Sequence, residues 1–119
     1  MNDSTTQSHR AAQIWSVLVF AARHQEIITY GTIDRLTGLN RNSLGIPLNL
    51  IASYCKRKNL PEIWSIVVNE ETGFPGKKGM GEATELDILY KQHRVFAFNW
   101  HLKPYPCPRA KDFKTGAGT

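Results

Sequence analysis

The chain has 119 residues, with 15 Lys plus Arg against 10 Asp plus Glu, 41% hydrophobic and 10% aromatic content, the size and composition of one small domain with a single core. That length leaves no room for a two-domain enzyme, and the longest apolar-rich run, Ala11 to Ala22, is interrupted by Gln13 and Ser16 and is shorter than the roughly 20 residues of a membrane span. Cys55 and Cys107 make no disulfide framework, and an N-terminus that carries Asp3 and no apolar stretch reads as that of a cytoplasmic protein with free thiols and no membrane partner.

In chain order, residues 1–8 are polar without an apolar period and are expected to be disordered. From His9 to Gln25, Ile14, Trp15, Leu18, Val19 and Ala22 step at helical spacing, which predicts a largely buried first helix. Thr29 can cap a short helix from about Tyr30 to Leu36, with Gly38 as its stop. A third helix is expected from Ser43 or Leu44, capped by Asn40, Asn42 or Ser43. It buries Leu44, Leu48 and Ile51 and ends in Lys56-Arg57-Lys58, cations suited to the negative end of a helix dipole. The β-branched run Ile63 to Asn69 predicts a buried strand, and Gly73 to Gly81 a loop. Helical spacing returns from Glu82 to about Gln92, and Val95 to Trp100 alternates in a way that favours a strand, with continuation of the helix as the alternative. Residues 103–119 read as an extended basic tail, leaving 9–102 as the folded domain.

The charge is unevenly placed. Arg35, Arg41, Lys56, Arg57 and Lys58 fall between positions 35 and 61 without one acidic residue, and Lys77 and Lys78 sit in the Gly-rich loop, so the net +5 is concentrated where a polyanion could be met. Helix, short helix, tight turn, longer helix, strand and Gly/Lys loop is the element order of a winged helix-turn-helix, an α+β domain with three helices, a strand and a wing, followed here by a C-terminal helix/strand extension.

The motifs Thr29-Tyr30-Gly31-Thr32-Ile33, Gly38, Asn42-Ser43-Leu44-Gly45, Asn59 and Trp64-Ser65-Ile66-Val67-Val68 resemble the winged-helix domain of alkylguanine-DNA alkyltransferases and the related alkyltransferase-like proteins over residues 29–76. The resemblance implies a DNA-binding fold with a recognition helix opening near Asn42. It does not carry the family's chemistry. Alkyl transfer needs a thiolate with a neighbouring His to take its proton, and no Cys or His lies between Lys56 and Gln92. Aligned on Val67-Val68, Trp64 falls at the position that holds Cys in the transferases and Trp in the alkyltransferase-like branch, Ser65 replaces His and Ile66 replaces Arg; aligned on Asn59 without a gap, Val67 takes the nucleophile's place. Asn42 stands where the family has its intercalating Arg, with Arg41 one residue earlier.

The candidate DNA-binding residues are therefore Tyr30, Arg35, Arg41, Asn42 and Ser43, with Lys77 and Lys78 on the wing for backbone phosphates. Asn42 and Ser43 serve equally well as helix caps, and Tyr30 as packing under its helix; Arg41 has no structural duty derivable from the sequence. Trp64 is either core or the wall of a base pocket. The four histidines lack metal-ligand spacing, and neither a cofactor nor a catalytic constellation is expected. The reading is a non-enzymatic protein that binds double-stranded DNA, for transcriptional control or recognition of altered DNA. The alternative is a protein-interaction module, an adaptor or inhibitor, that keeps the fold; a homodimer fits either.

Overall fold

The computed structural model of the protein describes residues 3–75 and 84–114, with side chains from residue 6 on. Its first helix, α1, runs Asp3–Arg23 and buries Ala11, Ile14, Trp15, Leu18, Ala21 and Ala22, one stripe at intervals of three and four residues. It closes where Gln25 takes a left-handed φ of 55° and the Glu26 N–H reaches back to the Ala21 carbonyl at 2.9 Å, a Schellman-type ending. The expectation of disorder over residues 1–8 is corrected from Asp3 on. The first turns of the helix are held from outside, since the Ser8 hydroxyl donates to the Phe113 carbonyl, a contact that local composition does not reveal.

Strand β1, Ile28–Thr29, leads into α2, Tyr30–Thr37. Thr29 caps α2 by accepting the Thr32 N–H at 3.1 Å, and Gly38 ends it in the left-handed region, as its sequence predicts. A 3-10 turn over Arg41–Ser43 precedes α3, Gly45–Lys58, which buries Pro47, Leu50, Ile51, Tyr54 and Cys55 and ends on a left-handed Asn59.

The strand predicted over Ile63 to Asn69 is corrected. Ile63–Ile66 coils into a 3-10 turn, and β2 is Val67–Val68 alone, paired in parallel with β1 in the register Ile28 to Val67 and Thr29 to Val68. A ladder needs a partner. β1 supplies two residues, so the remaining apolar side chains are buried by the turn instead. Helix α4, Glu85–Ala97, starts with a Thr84/Asp87 capping box and buries Ile88, Gln92 and Val95. It continues through Val95, Phe96 and Ala97, where the sequence favours a strand over Val95 to Trp100 with continuation of the helix as the alternative, and stops where the Trp100 indole N–H donates to the Val95 carbonyl at 2.7 Å.

The C-terminal segment is no free tail. Arg57 donates to the Asp112 carbonyl at 2.8 Å, and Phe113 is fully buried with Trp15 and Tyr54, at ring centroid distances of 5.7 and 5.1 Å. The result is a mixed α+β domain of four helices and a two-stranded parallel sheet among the described residues. No helix among them is long and apolar enough to cross a membrane.

Candidate functional site

The 3-10 turn at Arg41–Ser43, the outer side of α3, the turn at Ile63–Ile66 and α4 surround an open cleft of about 1100 Å³. Of the residues singled out in the sequence, Tyr30, Arg41, Asn42 and Trp64 line it together. The side-chain cap expected for α3 is corrected: Asn40 caps the 3-10 turn instead, accepting the Asn42 N–H on its Oδ1 at 2.7 Å, and α3 begins after Leu44 with no side-chain cap. That arrangement leaves the Asn42 side chain at the cleft rather than in a cap. Trp64 is half-buried on the cleft wall, so it belongs neither wholly to the core nor wholly to the surface.

Arg41 does have a structural duty, contrary to the sequence reading. Its Nε lies 3.3 Å from Asp34 Oδ2 and its Nη1 3.2 Å from Glu70 Oε1, so it ties the 3-10 turn to α2 and to the turn after β2. Gly31 makes room for this. A Cβ there would stand 2.6 Å from Glu70 Oε1 and 3.0 Å from Arg41 Nη1. The pairs are exposed, where such contacts contribute about 1 kcal/mol or less, so the guanidinium can exchange carboxylate for phosphate at small cost.

The other candidates go elsewhere. Arg35 donates to Thr32 Oγ1 at 3.1 Å on α2 and does not line the cleft. Ser43 lines a separate, smaller hollow with Arg10 and Asn40. Lys77 and Lys78 lie outside the described residues.

Three cations complete the cleft: Lys56 from α3, and Lys91 and Arg94 from α4. The basic triplet at the end of α3 thus divides, Lys56 toward the cleft and Arg57 toward the C-terminal segment. Lys91 Nζ lies 5.1 Å from the centre of the Trp64 ring and 3.5 Å from Glu62 Oε2. Glu62 is the one carboxylate on the cleft wall among the described residues, while Lys56 and Arg94 have no ion-pair partner among them. Arg41 is matched by Asp34 and Glu70 and Lys91 by Glu62, so the pull of this concave surface on anionic ligands rests first on Lys56 and Arg94. The sequence signal for Lys91 and Arg94 was their offset from the buried positions Ile88, Gln92 and Val95, but which way α4 faces is set by its docking, where Gln92 Nε2 donates to the Ser65 carbonyl at 2.9 Å.

Neither thiol is placed as a nucleophile on this wall. Burial pushes the Cys55 thiol up to about 12, with the Glu62 charge adding to it and a backbone hydrogen bond from Ile63 opposing. Cys107 is exposed in the Pro-rich segment and does not line the cleft. No group of three or more His, Cys, Asp or Glu among the described residues is arranged to hold a metal ion. The chain matches no protein-family model, no curated protein and no solved structure.

Proposed function

We propose that the protein is a non-enzymatic DNA-binding protein in which α2 and α3 act as a helix-turn-helix and the Gly/Lys segment after β2 as a wing. One observation carries the reading: the cleft joins Tyr30, the adjacent pair Arg41 and Asn42, and Trp64 on one wall with three further cations, Lys56, Lys91 and Arg94. Phosphate contacts by Arg and Lys supply affinity, while Arg41 and Asn42, in the 3-10 turn that leads into α3, have the donor and acceptor groups that read base edges. Biologically, the protein serves transcriptional control or the recognition of altered DNA.

Fluorescence anisotropy with a labelled duplex, run in parallel with the same duplex carrying an alkylated guanine, tests it. Arg41→Glu combined with Lys77→Glu is expected to lower duplex affinity by at least about tenfold, since each phosphate contact adds to a salt-sensitive electrostatic term. Unchanged affinity refutes the placement. Preference for the alkylated duplex selects the altered-DNA version.

A second reading, a protein-interaction module, has its own observation. Leu86, Leu89 and Tyr90 lie on one side of α4 and are 77%, 54% and 64% exposed, an apolar group of the kind found at protein interfaces. Failure of DNA binding at low salt favours this reading.

A further inference from the structure

The cleft has a chemistry that a paired duplex cannot use. In a duplex the faces of the bases are stacked on one another, so only an unpaired base can lay its face on an aromatic side chain. Trp64 is the one half-buried Trp, the other two, Trp15 and Trp100, being buried in the core. It stands on the wall of a concave site, flanked by Lys56 across the cleft on α3 and by Lys91 and Arg94 on α4. A cationic groove that follows a sugar-phosphate backbone, combined with an aromatic platform, is the general means of holding a single strand.

We propose that this cleft binds single-stranded DNA, with an unpaired base on Trp64 and the backbone held by Lys56 and Arg94. The proposal rests on the DNA-binding reading above and adds a substrate class to it: DNA with an unpaired stretch. Lys91 is a latch. Its ammonium occupies the ring face at 5.1 Å while Glu62 holds it at 3.5 Å, so an incoming base takes its place over the ring and the ammonium turns to a phosphate. Glu62 opposes binding twice, by restraining Lys91 and by placing a negative charge beside the backbone.

Intrinsic tryptophan fluorescence reads the event directly, because Trp64 is the half-exposed indole. The full chain is titrated with an oligothymidine of about ten nucleotides, and with a labelled duplex in a separate anisotropy series. Saturable quenching by the single strand is expected. Lys56→Glu with Arg94→Glu, both surface changes, should weaken it at least about tenfold, and Glu62→Gln should strengthen it. Trp64→Phe should remove the quenching, with a circular-dichroism melt confirming that the variant is folded. Absence of quenching, or quenching that ignores both the double charge reversal and Glu62→Gln, overturns the assignment. Duplex binding without single-strand quenching overturns this proposal and leaves the duplex reading standing; single-strand quenching without duplex binding does the reverse.

Discussion

Arg41 and Cys55 show how much a single residue's surroundings decide its role. Arg41 is paired with two carboxylates in the free protein, so its contribution to DNA binding is a difference between two sets of partners. Glu70→Gln, which removes one carboxylate, is expected to change stability by less than about 1 kcal/mol and to raise duplex affinity by releasing the guanidinium; anisotropy titration at fixed salt checks it. Cys55 carries a pH prediction. Its thiol is raised from an ordinary 9.0 to about 12, chiefly by burial. A group held neutral in the fold stabilises it fully below the ordinary value, and that contribution is lost as pH climbs through the window from about 9 to 12, where the unfolded chain ionises first. Over the whole window the loss is on the order of 4 kcal/mol at most. Burial also raises the Tyr54 hydroxyl, so it acts in the same alkaline direction. Thermal melts at pH 8 to 10 should show a fall that Cys55→Ala makes shallower. In the native protein a thiol reagent should label Cys107 quickly and Cys55 only after unfolding.

At the scale of the elements, α4 and the C-terminal segment carry more than their sequences suggest. Thr84→Ala removes the cap that starts α4, which should cost about 1 kcal/mol in a chemical denaturation experiment. Phe113→Ala should cost about 3–5 kcal/mol, because its ring is fully buried against Trp15 and Tyr54; that is a large part of the stability of a domain this small. Local signals made α2 legible in the sequence, since Thr29 and Gly38 act within one turn of their own positions. The run Ile63 to Val68 was not, because a buried apolar run has the same composition in a strand and in a 3-10 turn, and the choice was made by a partner strand two residues long. The end of α4 was decided by an indole N–H five residues on, and the order in α1 by a segment from the opposite end of the chain. Tyr30, Asn42 and Trp64 could be named from motifs; Lys91 and Arg94 could not, since helical rotation is fixed by tertiary contact.

For the whole molecule, the fold turns an ordinary net charge of +5 into a directed one. Four cations and one carboxylate face the cleft among the described residues, whereas Arg57 is turned away to hold the C-terminal segment. On the proposed function, this face meets the phosphates of DNA. The most direct test of that contact is the salt dependence of duplex binding by the full chain, measured by anisotropy and repeated with Lys56→Glu and Arg94→Glu. Each phosphate neutralised contributes about −0.9 to the slope of log K against log salt. Binding at low salt is expected, with a straight line of slope between about −2 and −4 for a few such contacts and a shallower slope in the variant. No binding at low salt, or a slope that is flat and unchanged by the charge reversals, would contradict the proposed function.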